Sequence, residues 1–113
     1  MMKMSLTEKL AKFIVDAEYK DISEDAKTKA KLCILDCFGV ILAGSVESIK
    51  KPIMRYLERV GGKEEATIIG LGIKTSAPHA AFANGVFGHV LDYDDTNQIF
   101  IGHATVVTLP AML

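Results

Sequence analysis

The chain has 113 residues, enough for one domain or part of one, with a core of moderate size. Half of the residues are apolar and 24% are charged, the balance of a globular chain and not of a disordered one. Thirteen Lys and Arg against fourteen Asp and Glu leave a net charge of −1, so there is no basic surplus to neutralise phosphates and no nucleic-acid partner is expected.

The first helix is predicted from Ser5 to Ala17. Ser5-Leu6-Thr7-Glu8 fits a capping box, and Leu6, Leu10, Phe13, Ile14 and Ala17 recur at helical spacing. The opening residues, MMKMSLTEKLAKF, hold neither an uninterrupted apolar stretch nor a small-residue cleavage site, which predicts a cytoplasmic protein. Ser23 caps a second helix, with Glu24 and Asp25 beside the positive end of its dipole. Its second half, LCILDCFGVILAG, is apolar nearly all round, which predicts burial on most sides. That run is too short to cross a membrane, which takes about 20 residues. Cys33 and Cys37 share a face of this helix; they are not CxxC, and two thiols alone make no zinc site, so they read as buried free cysteines. Asp36 reads as a buried group held by hydrogen bonds.

A third helix runs from Lys50 to Val60, with Pro52 in its first turn and Gly61-Gly62 ending it. The next stretch, EEATIIGLGIKTS, has two glycines and β-branched residues, which predict an extended or hairpin-like piece. Ser76 caps a fourth helix with Pro78 in its first turn. Ala80, Ala81, Ala83, Gly85 and Gly88 make that helix small-sided, so neighbouring backbones can approach it closely inside a bundle. His79 is expected to face solvent. Tyr93 to Gly102 is polar and irregular, hence a loop, and HATVVTLPAML begins another helix. The fold class expected is all-α. The pattern has no stop signal at Leu113, so a front part of something larger is expected.

One stretch, HVLDYDDTNQIFIGHATV, gathers Asp92, Asp94 and Asp95 between His89 and His103. Asp92 and Thr96 would share a face if the fourth helix continued through them. A carboxylate, a hydroxyl and an imidazole together suit proton abstraction beside a carbonyl, loss of water or decarboxylation. Two other readings stay open. Asp94, Asp95 and Thr96 can be turn residues satisfying loop amides. Clustered carboxylates can also bind a hard cation, although the glycine and distal glutamate of an EF-hand are missing and histidine suits Mg²⁺ or Ca²⁺ poorly. His89 reads either as a partner of the helix dipole or as a substrate contact.

The segments LDCFGVILAGS, KTSAPHAAFANGVFGHVLDYDDT and GHATVVTLPAML resemble the MmgE/PrpD family over nearly the whole chain. The family includes 2-methylcitrate dehydratase, cis-aconitate decarboxylase and iminodisuccinate epimerase. The resemblance implies the N-terminal part, residues 1–113, of a large helical domain that is completed elsewhere by a smaller lid. It implies a homodimer, a small di- or tricarboxylate substrate, and no metal or other cofactor. It places Asp92, Thr96 and His103 in the site, with Asp92 and His103 as catalytic residues and Thr96 holding a substrate carboxylate. Apart from the resemblance, His89 stays a candidate substrate contact, and Asp94 and Asp95 read as groups that organise the loop or support the site. The reaction implied is loss of water after proton abstraction next to a carboxylate, with decarboxylation or epimerisation as alternatives. This chain departs from the family at Asn97, where a histidine is common, and at Ala104-Thr105, where Pro-Ser is usual. The family's later lysine, histidines and tyrosine have no counterpart in these residues, so the chain alone is expected to be inactive. A non-catalytic helical interaction module is the alternative of a different class.

Overall fold

A computed structural model describes residues 4–99 and 101–113. The reading of the first three residues as free of a leader therefore lies outside the described residues, as does Phe100 of the loop. Five α-helices and a small two-stranded sheet occur among the described residues. The chain is mostly helical; the all-α expectation is corrected by the sheet. Two compact units divide it, Met1–Lys31 and Leu32–Leu113.

In the first unit, helix α1 spans Leu6–Asp16. The capping box is present as the sequence implied. The Glu8 amide donates to Ser5 Oγ at 3.2 Å, and the Ser5 amide donates to Glu8 Oε2 at 2.7 Å. The Ser5 amide and, at 2.9 Å, the Ser5 hydroxyl both donate to the Glu8 carboxylate, which favours its ionised form and holds Glu8 below the usual carboxylate range. A 3-10 turn at Tyr19–Asp21, which no sequence signal announced, follows it. Helix α2 starts at Glu24, where the Ala26 amide donates to Ser23 Oγ at 3.2 Å. Lys27 lies 4.3 Å from the centre of the Tyr19 ring, a cation–π contact.

In the second unit, α2 continues to Gly44, and α3 spans Lys50–Val60. Gly61 ends α3 with φ +63, a value a side chain rarely tolerates. Strands β1, Ala66–Ile68, and β2, Ile73–Thr75, pair antiparallel with Ala66 opposite Thr75. They are the hairpin that the glycines and β-branched residues predicted. Helix α4 spans Ala77–His89 and α5 spans Ala104–Met112. Ser76 stands at the N-terminal cap of α4 as expected, but its side chain makes no capping hydrogen bond.

The core joins α2, α3, β1, α4 and α5 through Cys37, Ile41, Leu57, Ile68, Phe87 and Leu109. The small residues of α4 work as the sequence suggested. A Cβ added at Gly88 would run into Val106 Cγ2, so the bare backbone there sets how near α5 can lie. Asn84 is buried and ties α4 to the hairpin: its Nδ2 donates to the Thr67 carbonyl at 3.1 Å, and its Oδ1 accepts from the Ile69 amide at 2.9 Å. The Asn-Gly pair in the resembling segment thus has a structural use at its asparagine.

Two burial expectations fail on α2. Its buried residues are Cys37, Val40, Ile41 and Gly44, all on one face, while Leu35 is 70% exposed. Asp36 is exposed too, so its carboxylate is solvated and needs no internal partner. The reason is geometric: residue 35 faces away from the buried stripe at 37, 40, 41 and 44, and residue 36 lies at its edge. Cys33 is half-buried and only Cys37 is fully buried. No helix among the described residues is long and apolar enough to cross a membrane.

Candidate functional site

The site is built where α4 ends and α5 begins. His89 is the last residue of α4, and the turn after it closes with the Asp92 amide donating to the His89 carbonyl at 2.8 Å. Asp92 has φ +49, a left-handed value that aspartate tolerates better than most residues. This residue breaks the helical path. The shared face foreseen for Asp92 and Thr96 is therefore absent: the helix stops before either of them.

Beyond the turn, the acidic residues go separate ways. The Asp92 side chain is 81% exposed, whereas that of Asp94 is 1% exposed. Asp95 faces α5, where its Oδ1 accepts from the Thr105 amide at 3.2 Å and its Oδ2 accepts from Thr105 Oγ1 at 2.8 Å. This clasp fixes the start of α5, and with it His103, which occupies the N-terminal cap. Thr105, one of the departures from the family pattern, is the partner that completes the clasp. The loop tip is closed by Asn97 and Gly102, whose backbones bond reciprocally at 2.8 and 3.2 Å.

His89, Asp92, Asp94 and His103 converge; one polar atom from each lies within 4.8 Å of the others. His89 Nδ1 lies 3.0 Å from Asp94 Oδ1. His103 Nδ1 lies 3.2 Å from Asp94 Oδ2, and His103 Nε2 lies 3.7 Å from Asp92 Oδ1. The two imidazole rings meet edge to face, with centres 4.7 Å apart. The distance from His103 Nδ1 to Asp94 is short enough for an ion pair, but the N–H direction misses the oxygen, and that buried nitrogen has no hydrogen bond.

The same four residues are the group that could hold a metal ion among the described residues. Two imidazoles and two carboxylates suit a borderline first-row ion better than Mg²⁺ or Ca²⁺. Ligands of such an ion stand about 2.0–2.2 Å from it, so the four atoms would have to draw closer than they stand.

Next to the histidines, α4 and α5 enclose an open groove of about 490 Å³. Phe82, Val86, Val106 and Val107 give it apolar walls, Gly85 leaves room, and His89 and His103 are its titratable members. Sequence reading did not find this groove, although the small residues of α4 were its signal. Of the four residues singled out for chemistry, His89, Asp92 and His103 come together. Thr96 is exposed on the loop and does not line the groove. His79 is half-buried and not simply solvent-facing; its Nδ1 lies 3.1 Å from the Tyr56 hydroxyl.

The cluster lies on the segment that carried the family resemblance. Mouse cis-aconitate decarboxylase is 29% identical over 97 residues, covering 85% of this chain and 20% of that protein. The human enzyme of the same name is 29% identical over the same length, with the same coverage. The chain thus spans about one fifth of the length of these curated relatives. The MmgE/PrpD N-terminal domain matches residues 8–113, from the capping glutamate of α1 through the whole of α5, and the chain belongs to the MmgE/PrpD family.

Proposed function

We propose that these residues form the N-terminal helical part of a cytoplasmic, homodimeric lyase of the 2-methylcitrate dehydratase type, whose substrate is a small hydroxy di- or tricarboxylate. The observation that carries the reading is the convergence of His89, Asp92, Asp94 and His103 beside a groove, on the residues where the family motif falls.

A proton next to a carboxylate is weakly acidic because the carbanion left behind lies beside a negative charge. In the proposed reaction the His103 imidazole takes that proton, a task suited to a side chain that titrates near neutral pH. The electron pair of the broken C–H bond forms a C=C bond. The hydroxyl on the next carbon leaves and, with a proton returned to it, departs as water. Asp92, 3.7 Å from His103 Nε2, stabilises the imidazolium once the proton has arrived. His89 binds a substrate carboxylate or hydroxyl group from the groove, and Thr96, exposed on the loop outside it, binds one from the loop side. The remaining catalytic groups and the lid belong to the rest of the enzyme.

One observation favours a second reaction on the same site: both relatives named above are decarboxylases. There the bond broken would release CO₂ in place of water. Product analysis separates the two. The whole enzyme is offered 2-methylcitrate, cis-aconitate and iminodisuccinate, and products are identified. Loss of water from the hydroxy acid supports dehydration, and CO₂ from cis-aconitate without dehydration moves the assignment to decarboxylation. Absence of turnover on every acid contradicts the lyase reading.

A further inference from the structure

We propose that Asp94 is a positioning residue that holds both His89 and His103 as Nδ1–H tautomers, so that each ring keeps its Nε2 lone pair for the substrate. The inference builds on the reading of these histidines as substrate-facing groups, but its test does not use turnover.

Three observations carry it. Asp94 is the one member of the cluster that is fully buried, with its side chain 1% exposed, so its oxygens depend on protein donors for satisfaction. Both neighbouring rings present Nδ1 to it. His89 Nδ1 stands 3.0 Å from Oδ1 and 3.2 Å from Oδ2, and His103 Nδ1 stands 3.2 Å from Oδ2. A carboxylate has room for two such donors, with about four lone-pair positions on its two oxygens. Last, His103 Nδ1 is buried without a hydrogen bond. If that nitrogen carried a lone pair, it would face the lone pairs of a buried carboxylate, which is repulsive. If it carries the proton, the nearby Asp94 oxygen lacks only alignment to accept it.

The tautomer of a histidine is set by the bond its other nitrogen makes. With both Nδ1 protons given to Asp94, Nε2 is the basic nitrogen on each ring. For His103 this is the nitrogen 3.7 Å from Asp92, where the proposed reaction needs the base. Asp94 does no chemistry on the substrate in this scheme. It selects which nitrogen does, as a buried carboxylate orients its histidine in a hydrolase triad. Asp92 cannot take over this task, since it is exposed and faces Nε2.

The test is ¹⁵N-resolved NMR of the histidine rings in the 113-residue chain, recorded at a pH above which the ring nitrogen shifts no longer change, so that the rings are neutral. The long-range proton–nitrogen correlation pattern distinguishes Nδ1–H from Nε2–H. The wild-type chain is expected to show His89 and His103 both as Nδ1–H. In Asp94→Asn the side chain offers one acceptor oxygen and one donor NH₂, so one of the two rings is expected to convert to Nε2–H. His79, bonded to Tyr56, is expected to keep its wild-type pattern and serves as the internal control. Thr105→Val, which breaks only half of the Asp95 clasp, is expected to leave both tautomers in place and so separates a loosened loop from loss of the carboxylate. Either ring as Nε2–H in the wild type overturns the inference, and this reading stands even if Asp94→Asn does not fold. Unchanged tautomers in a folded Asp94→Asn also overturn it. None of these results depends on which acid the enzyme uses.

Discussion

Cys37 shows how a single position can be read from sequence and still carry information that only the fold supplies. Its burial was legible from the apolar run around it. Its electrostatic setting was not, because Asp94 and Asp95 lie more than fifty residues away in the chain. Burial pushes its thiol up to about 11, and the carboxylates of Asp95, Asp36 and Asp94 add to the effect. The fold thus favours the protonated thiol, whereas an unfolded chain releases that proton near 9.0. The stabilisation is fully present below pH 9 and is lost as the pH rises towards 11. We expect chemical denaturation to show the wild type losing stability across this window relative to Cys37→Ala, by no more than about 2 kcal/mol. Parallel pH profiles would contradict the burial of Cys37. The acidic residues of the loop were legible as a group and not as individuals. Whether Asp92, Asp94 or Asp95 turns inward depends on the left-handed backbone at Asp92, and residue type alone does not announce that conformation. The sequence reading therefore recognised that titratable groups gather here, but it paired Asp92 with Thr96 and left Asp94 a loop residue.

At the level of elements, boundaries were read best where a local signal fixes them. Ser5 with Glu8, Ser23, Pro52 and Gly61 each act within a turn of their own position, and the helices begin and end beside them. The hairpin was legible for the same reason. What failed was the extent of burial on α2, because coverage of a helix depends on where its neighbours lie and not on its own composition. The packing of α5 on α4 yields a paired prediction. Gly88→Ala forces a methyl into Val106 and near Ile41 Cγ1, 3.2 Å away, and should lower stability by about 1–3 kcal/mol in a denaturation experiment. Gly39→Ala, inside α2 with nothing within 4 Å of the added carbon, should instead raise it by roughly 0.5–1 kcal/mol through helix propensity. Equal effects at the two glycines would mean that α5 does not press on α4 as described.

At the scale of the molecule, the family was legible because its signature is a run of spaced residues that survives at low identity, and the match to residues 8–113 confirms it. The arrangement of the candidate site was legible less fully. The groove arises from α5 packing against α4, and the approach of Asp94 to two histidines and the Asp95 clasp arise from the loop folding back; these are contacts between segments that local pattern does not encode. The central proposal is that in the whole enzyme this junction of α4 and α5 takes part in proton transfer on a small carboxylic acid. Steady-state turnover by the whole enzyme carrying His103→Ala tests it most directly. The account predicts that kcat falls by about 100-fold or more while the helical circular dichroism is unchanged. Turnover equal to that of the wild type would contradict it.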